Sequence, residues 1–131
     1  MNNQKILLVE DDEILGKVMS EELKEAGFEV KWVLDGELGV KAAQSGRPDL
    51  ILLDLMLPKK HGFDVLSEIK SSPATSSIPV IIITMMGQDD DIKKGIQLGA
   101  VDYIVKSQHA IAEIVEKIKN FFAKEQHPTG Q

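Results

Sequence analysis

Five short runs rich in Ile, Leu and Val recur along the chain, at Lys5 to Val9, Phe28 to Val33, Leu50 to Leu53, Val80 to Ile83 and Val101 to Val105. They are nearly continuous rather than alternating, which is the pattern of strands buried on both faces. Between them the period changes to that of helices. Ile14, Leu15, Val18, Met19 and Leu23 lie mainly on one face of a first helix, with Asp12 placed to cap its start and Gly27 to stop it. A second helix, roughly Gly36 to Gln44, turns Leu38 and Ala42 inward and ends near Gly46. The third, Gly62 to Ser71, presents Phe63, Leu66 and Ile69 before a Ser-rich loop and Pro79. The fourth, about Asp89 to Leu98, carries Asp89, Asp90 and Asp91 in its first turn, where free N–H groups favour negative charge, and Gly99 follows it. The fifth begins near His109 or Ala110 and has an apolar stripe of Ile111, Ile114, Val115, Ile118, Phe121 and Phe122.

A strand–helix pair repeated five times predicts a doubly wound α/β domain. Right-handed crossovers place helices on both faces of a five-stranded, mostly parallel sheet. Alternation alone leaves the strand order open, and a small Rossmann-like fragment or a flavodoxin-like domain both satisfy it. Open parallel sheets gather their ligands at the carboxyl ends of the strands. Those ends carry the polar groups of interest: Glu10, Asp11 and Asp12 after the first run, Asp54 after the third, Thr84 after the fourth and Lys106 after the fifth. Carboxylates more than forty positions apart in sequence, here Glu10 and Asp11 against Asp54, can therefore meet in one pocket. Such a cluster repels itself unless a cation enters, and hard oxygen ligands suit Mg2+ or Mn2+. The competing reading is that one or two of these acids merely cap the first helix. A lysine beside the cluster balances charge and can meet a phosphoryl oxygen, while a threonine hydroxyl adds a hydrogen bond.

Composition narrows the class. The 131 residues are 43% apolar, enough for one core, and residues 1–124 are expected to form it, with 125–131 a flexible tail or truncated linker. Twenty-one acidic against 15 basic residues give a net charge of -6, which argues against a nucleic-acid or anionic-membrane surface. The absence of cysteine excludes disulfides, thiolate chemistry and cysteine-ligated metals. Neither a signal-peptide core nor an apolar span near twenty residues is present, so a cytoplasmic location is expected.

The segments VEDDE, DLILLDLMLPKKHGFDVL, PVIIITM and GAVDYIVKS together resemble the response-regulator receiver family over nearly the whole chain. The resemblance implies a flavodoxin-like sheet of order 2-1-3-4-5, the order for which the family's chemotaxis member is a standard example. It implies a phosphorylation-controlled switch of two-component signalling rather than an enzyme. Asp54 is then the phosphoacceptor, and the phosphoryl donor is a sensor histidine kinase, a histidine phosphotransfer protein or a small phosphodonor. Glu10 and Asp11 form the acidic pair that binds Mg2+ with Asp54 and the main-chain carbonyl of Met56. Thr84 is the switch hydroxyl, Tyr103 the switch aromatic, and Lys106 the phosphoryl-contacting lysine. The implied readout surface combines the fourth helix, fifth strand and fifth helix, engaging a downstream protein or a second copy. No DNA-binding or enzymatic output domain is expected within these residues, and the segment is expected to act alone, relay phosphate, or belong to a larger regulator or hybrid kinase.

Pro58 and Gly62 match the family's loop after the phosphoacceptor strand. Two departures stand out. Met85 occupies a position where the family has a small residue, narrowing the approach to the pocket, and Ser107 replaces the proline that follows the lysine. Without proline a cis bond costs about 2.5–4 kcal/mol, so a trans Lys106–Ser107 bond with an adjusted lysine loop is expected. His61, His109 and His127 have no metal-ligand spacing. Met56 and Met86 stand at the two positions that border the path of water to the acyl phosphate in this family. Neither thioether is a general base, so slow dephosphorylation is expected. Two other readings compete: a degenerate receiver used as a phosphorylation-independent interaction or dimerisation module, and a magnesium-dependent phosphatase. The second lacks the acid two residues beyond the nucleophile that the haloacid-dehalogenase pattern supplies, since Met56 stands there.

Overall fold

The computed structural model describes residues 3–125. Its elements run β1 (Lys5–Val9), α1 (Glu13–Glu25), β2 (Glu29–Val33), α2 (Gly36–Gly46), β3 (Leu50–Leu53), α3 (Gly62–Ser71), β4 (Val80–Thr84), α4 (Asp89–Gln97), β5 (Asp102–Val105) and α5 (Ile111–Glu125), with a 3-10 turn at Lys106–Gln108. All five strands are parallel and their order is β2-β1-β3-β4-β5. The order left open by alternation is therefore the flavodoxin-like one. Apart from residue 125, which ends α5, the expected tail lies outside the described residues.

Strand side chains alternate between two cores. Ile6 and Leu8 of β1, with Leu50, Leu52, Ile81, Ile83 and Ile104, pack against Met19 and Leu23 of α1 and Ile114, Ile118 and Phe122 of α5. Leu7 and Val9, with Ile51, Leu53, Val80 and Ile82, pack against Val40 and Ala43 of α2 and Val65, Leu66 and Ile69 of α3. Both faces of the central strands are thus covered, which is why the runs read as continuous.

In two helices the expected apolar stripe is buried only in part, with Met19 and Leu23 of α1 in the core and Ala42 of α2 packed against it. In α1, Ile14 is 80% exposed and Val18 faces solvent, whereas Gly16, Met19, Ser20 and Leu23 point inward. The space at Gly16 is filled by Trp32 of β2; a Cβ there would lie 2.2 Å from its Cζ2. In α2, Leu38 is exposed and Ala42 half-buried, while Gly36, Gly39, Val40 and Ala43 form the inner stripe. A Cβ on Gly39 would stand 3.1 Å from the Val9 methyls, so the helix sits too close to the sheet for a large inward residue.

The ends follow local chemistry. Asp12 caps α1 by accepting from the N–H groups of Ile14 and Leu15, as its type and place predict, and Gly27 takes a left-handed φ of 103° just beyond the helix. Asp35 caps α2 through the N–H of Leu38. No peptide bond among the described residues is cis, so Lys106–Ser107 is trans and leads into the 3-10 turn.

Candidate functional site

The sheet register builds the site. Val9 of β1 pairs with Val33 of β2 and Leu53 of β3, so Glu10 and Asp54, the next residues, leave adjacent strands at the same level. Asp54 N–H donates to the Val9 carbonyl at 3.1 Å, and Glu10 N–H donates to the Val33 carbonyl at 3.0 Å. On the far side Thr84 pairs with Val105, and Lys106 follows. Four chemistry-bearing positions are thereby set along one edge by backbone pairing alone.

Lys106 sits between two buried carboxylates. Its Nζ lies 2.7 Å from Glu10 Oε1 and 2.8 Å from Asp54 Oδ2. Glu10 and Asp54 are only 4% and 6% exposed, whereas Asp11 is open to solvent. Each buried carboxylate also accepts a main-chain bond, Glu10 Oε2 from Asp12 N–H at 3.0 Å and Asp54 Oδ1 from Met56 N–H at 3.2 Å. One oxygen each from Glu10, Asp11 and Asp54 can be chosen so that all lie within 4.8 Å of one another.

These contacts tune the groups. Burial pushes the Glu10 carboxyl up, against the opposing pull of the Lys106 bond and the Asp12 N–H. Burial draws the Lys106 ammonium down, but its bonds to Asp54 and Glu10 outweigh that and leave it raised, firmly protonated. Three carboxylates against one ammonium leave two formal negative charges in excess, all on hard oxygen donors. That donor set fits a small divalent cation such as Mg2+ or Mn2+, and offers nothing to a soft metal.

Thr84 and Tyr103 meet at one residue. Thr84 is fully buried, and its Oγ1 accepts from Met86 N–H at 3.4 Å, while the Tyr103 hydroxyl donates to the Met86 carbonyl. Burial, followed by the charges of Asp91 and Asp54, pushes the Tyr103 phenol up to about 12, so it remains a donor throughout the neutral range. Met56 and Met85 are each 58% exposed and Met86 is half-buried.

The β3–α3 loop doubles back beneath Asp54. Gly62 N–H donates to the Leu55 carbonyl at 2.8 Å, and a Cβ on Gly62 would fall 2.4 Å from Leu55 Cα and 2.5 Å from the Asp54 carbonyl. Glycine is required here by space. His61 caps α3, its Nδ1 accepting from Phe63 N–H at 3.0 Å.

Sequence reasoning thus located Glu10, Asp11, Asp54 and Lys106, which the fold brings together, and Thr84 and Tyr103, which it joins through Met86. It missed the capping role of His61, whose signal was its place just before Gly62 at a helix start. It also missed Trp32, whose Nε1 donates to the Glu10 carbonyl at 2.9 Å. A lone tryptophan on a strand, with a glycine inside the neighbouring helix, was the available signal.

Comparison with known proteins gives a consistent family. The model of the response regulator receiver domain matches residues 6–119. The transcriptional regulatory protein CusR of Escherichia coli (strain K12) is 36% identical over 120 residues, covering 92% of this chain and 52% of CusR. The chain spans about half the length of the curated relatives it matches. Among solved structures, the Mn(2+)-bound form of response regulator Rcp1 is 35% identical with a TM-score of 0.80, covering 91% of this chain and 94% of that one. The phosphorylated cyanobacterial phytochrome response regulator RcpA is 37% identical with a TM-score of 0.77, covering 92% of this chain and 91% of that one.

Proposed function

Since this chain belongs to the response regulator receiver domain family, we propose that its phosphorylation switch is thrown at Asp54, with Lys106, Thr84, Glu10, Asp11 and the Met56 carbonyl completing the site. The observation that carries this reading is the buried Asp54 carboxylate at the end of β3, hydrogen-bonded to Lys106 and sharing a cluster with Glu10 and Asp11. A degenerate receiver has no use for that arrangement, because an unused buried acidic cluster costs stability.

Phosphorylation of RcpA and Mn2+ binding by Rcp1 support the same chemistry here. Glu10, Asp11, Asp54 and the Met56 carbonyl would hold Mg2+ or Mn2+, which when bound neutralises charge on the phosphoryl oxygens. An Asp54 oxygen attacks phosphorus as the bond from phosphorus to the donor's histidine nitrogen, or to the carboxylate oxygen of acetyl phosphate, breaks. The electron pair leaves with that donor atom. Transfer of this kind needs alignment and charge stabilisation more than covalent assistance. The Met56 N–H orients the Asp54 carboxylate. The Lys106 ammonium, already beside Asp54 Oδ2, is positioned to follow charge onto the phosphoryl group.

The donor is a sensor histidine kinase or histidine phosphotransfer protein. The readout face is α4, β5 and α5, where Ile96 of α4 and Val101, just before β5, are exposed apolar residues available to a downstream protein or a second copy. Intact-mass analysis after incubation with Mg2+ and acetyl phosphate tests the core of the reading. One phosphoryl addition is expected on the native chain and none on Asp54→Asn. A persistent adduct on Asp54→Asn moves the acceptor elsewhere.

A further inference from the structure

Trp32 is the only tryptophan of the chain and lies on an edge strand, yet its indole N–H reaches the acidic loop after β1, at the Glu10 carbonyl. The β1–β2 ladder ends with the Val9–Val33 pair, and Glu10 N–H then adds one more bond to the Val33 carbonyl. The carbonyl of the same residue accepts the indole N–H of Trp32 at 2.9 Å. Both main-chain groups of Glu10 are thus held by consecutive residues of β2.

The consequence follows from peptide geometry. The Glu10 carbonyl belongs to the rigid planar unit that joins Glu10 to Asp11, so fixing its direction fixes ψ of Glu10 and φ of Asp11 together. Those two angles set where both side chains start. The neighbouring peptide is constrained separately, because Asp12 N–H donates to Glu10 Oε2 and Asp12 caps α1. Without the indole bond, the one peptide plane between the two acids would lose the side-chain contact that orients it.

The indole is itself wedged. A Cβ on Gly16 would lie 2.2, 2.3 and 2.6 Å from Cζ2, Cε2 and Nε1 of Trp32, so the ring lies directly on the α1 backbone. A glycine inside a helix destabilises it relative to alanine, which calls for a compensating reason. Here the glycine gives the ring its seat. We propose that Trp32 is a positioning residue for the divalent-cation site, its indole N–H orienting the Glu10–Asp11 peptide and its ring held by Gly16. This rests on the cation site described under Proposed function. Mg2+ tolerates little departure from octahedral geometry, so misplacing two carboxylates at once is expected to weaken binding.

Mn2+ affinity, read from the loss of the free-ion EPR signal, gives the test without reference to phosphorylation. The chains compared are the native protein, Asp11→Asn, Trp32→Phe, and a chain with benzothienylalanine at position 32, which keeps the ring shape and replaces N–H by sulfur. The benzothienyl chain is expected to bind Mn2+ about tenfold more weakly than native, the lower end of what loss of a supporting bond costs a metal site. Its urea midpoint without metal should stay close to native. Trp32→Phe should weaken binding at least as much, and if it fails to fold, the isosteric chain decides. In 15N-labelled native protein the indole N–H resonance is expected to shift during a Mg2+ titration, and to stay fixed in Asp11→Asn. Native-like Mn2+ affinity in the folded benzothienyl chain overturns the role of Trp32 and leaves the cation site standing. Native-like affinity in Asp11→Asn overturns the cation site, and the positioning role with it.

Discussion

Replacing Lys106 by methionine keeps much of the side chain's length and removes its charge. In the native protein that ammonium lies 2.7 Å from Glu10 and 2.8 Å from Asp54, both almost fully buried. Removing one partner of a buried ion pair costs roughly 3–5 kcal/mol, because the other is left charged and uncompensated. Each carboxylate retains one main-chain N–H and exposed Asp11 opens the cluster to water, so the low end applies, about 3 kcal/mol at pH 7. With a urea m-value of about 1.5 kcal/mol per molar, the midpoint should fall by about 2 M in the absence of divalent ions. The pH dependence has a definite sign. Burial already raises the Glu10 carboxyl, and losing Lys106 removes a group that lowers it. A carboxyl raised in the folded state contributes stability at pH values below its unfolded pKa and loses it as pH climbs through the folded one. The variant's deficit should therefore shrink on acidification from pH 7 toward 4.5. Mg2+ should restore more stability to the variant than to the native chain, since the vacated charge falls to the cation. A deficit under about 0.5 kcal/mol, the scatter of surface substitutions, or one that does not change with pH, would refute the assignment of Lys106 as the counter-charge.

Gly62→Ala forces a Cβ against the Leu55 backbone and the Asp54 carbonyl, neither of which can rotate away. A loss of about 1–3 kcal/mol by urea titration is expected, with slower acetyl phosphate labelling, and unchanged labelling would detach the loop from the site. Tyr103 is the only tyrosine, so absorbance at high pH reads it alone, and its midpoint should lie at about 12 rather than at the ordinary 10.0. The stability it contributes is complete below the unfolded value and lost as pH rises through the folded one, and a midpoint at the ordinary value would mean that the hydroxyl is not held in the folded protein. Met56→Asn and Met86→Glu each supply a group able to orient water, and single-turnover phosphate release should quicken several-fold in each. Equal or slower release in every folded variant would remove the methionines from the water path.

What the sequence makes legible depends on where large apolar side chains do the packing. The strands are legible because helices cover both faces of the sheet, so the central strands are apolar apart from Lys5 at the start of β1 and Thr84 at the end of β4. The inner faces of α3 and α5 are legible for the same reason, since Phe63, Leu66, Ile69, Ile114, Val115, Ile118 and Phe122 of the expected stripes are buried, although Val65 also turns inward. In α1 and α2 the buried stripe includes the small residues Gly16, Ser20, Gly39 and Ala43, which carry little hydropathy signal. Met19 and Leu23 are buried as their pattern predicts, but Ile14, Val18 and Leu38 are exposed and widened the predicted stripe beyond the face that packs. The site was legible because parallel strands bring their carboxyl ends to one edge whatever their order. The indole bond from Trp32 to Glu10 spans 22 positions and depends on a ring seated against Gly16 of α1, which neither periodicity nor motif spacing encodes.

The same edge explains how one charge event can reach a remote surface. Thr84 and Tyr103 lie on adjacent strands, and each holds a different main-chain atom of Met86. The Thr84 bond is long at 3.4 Å and therefore weak, so releasing it costs little when the hydroxyl turns toward a phosphorylated Asp54, as the proposed switch requires. The Met86 N–H then needs a new partner, and any rotation that finds one also redirects the adjoining chain, including the carbonyl to which Tyr103 donates. Tyr103 packs over Gly95 of α4, where an added Cβ would meet its ring at 3.0 Å. A displaced ring therefore bears directly on the helix proposed to carry the readout. A small difference in interaction energy at Asp54 suffices to bias such an element, because the equilibrium responds only to the difference between its two states.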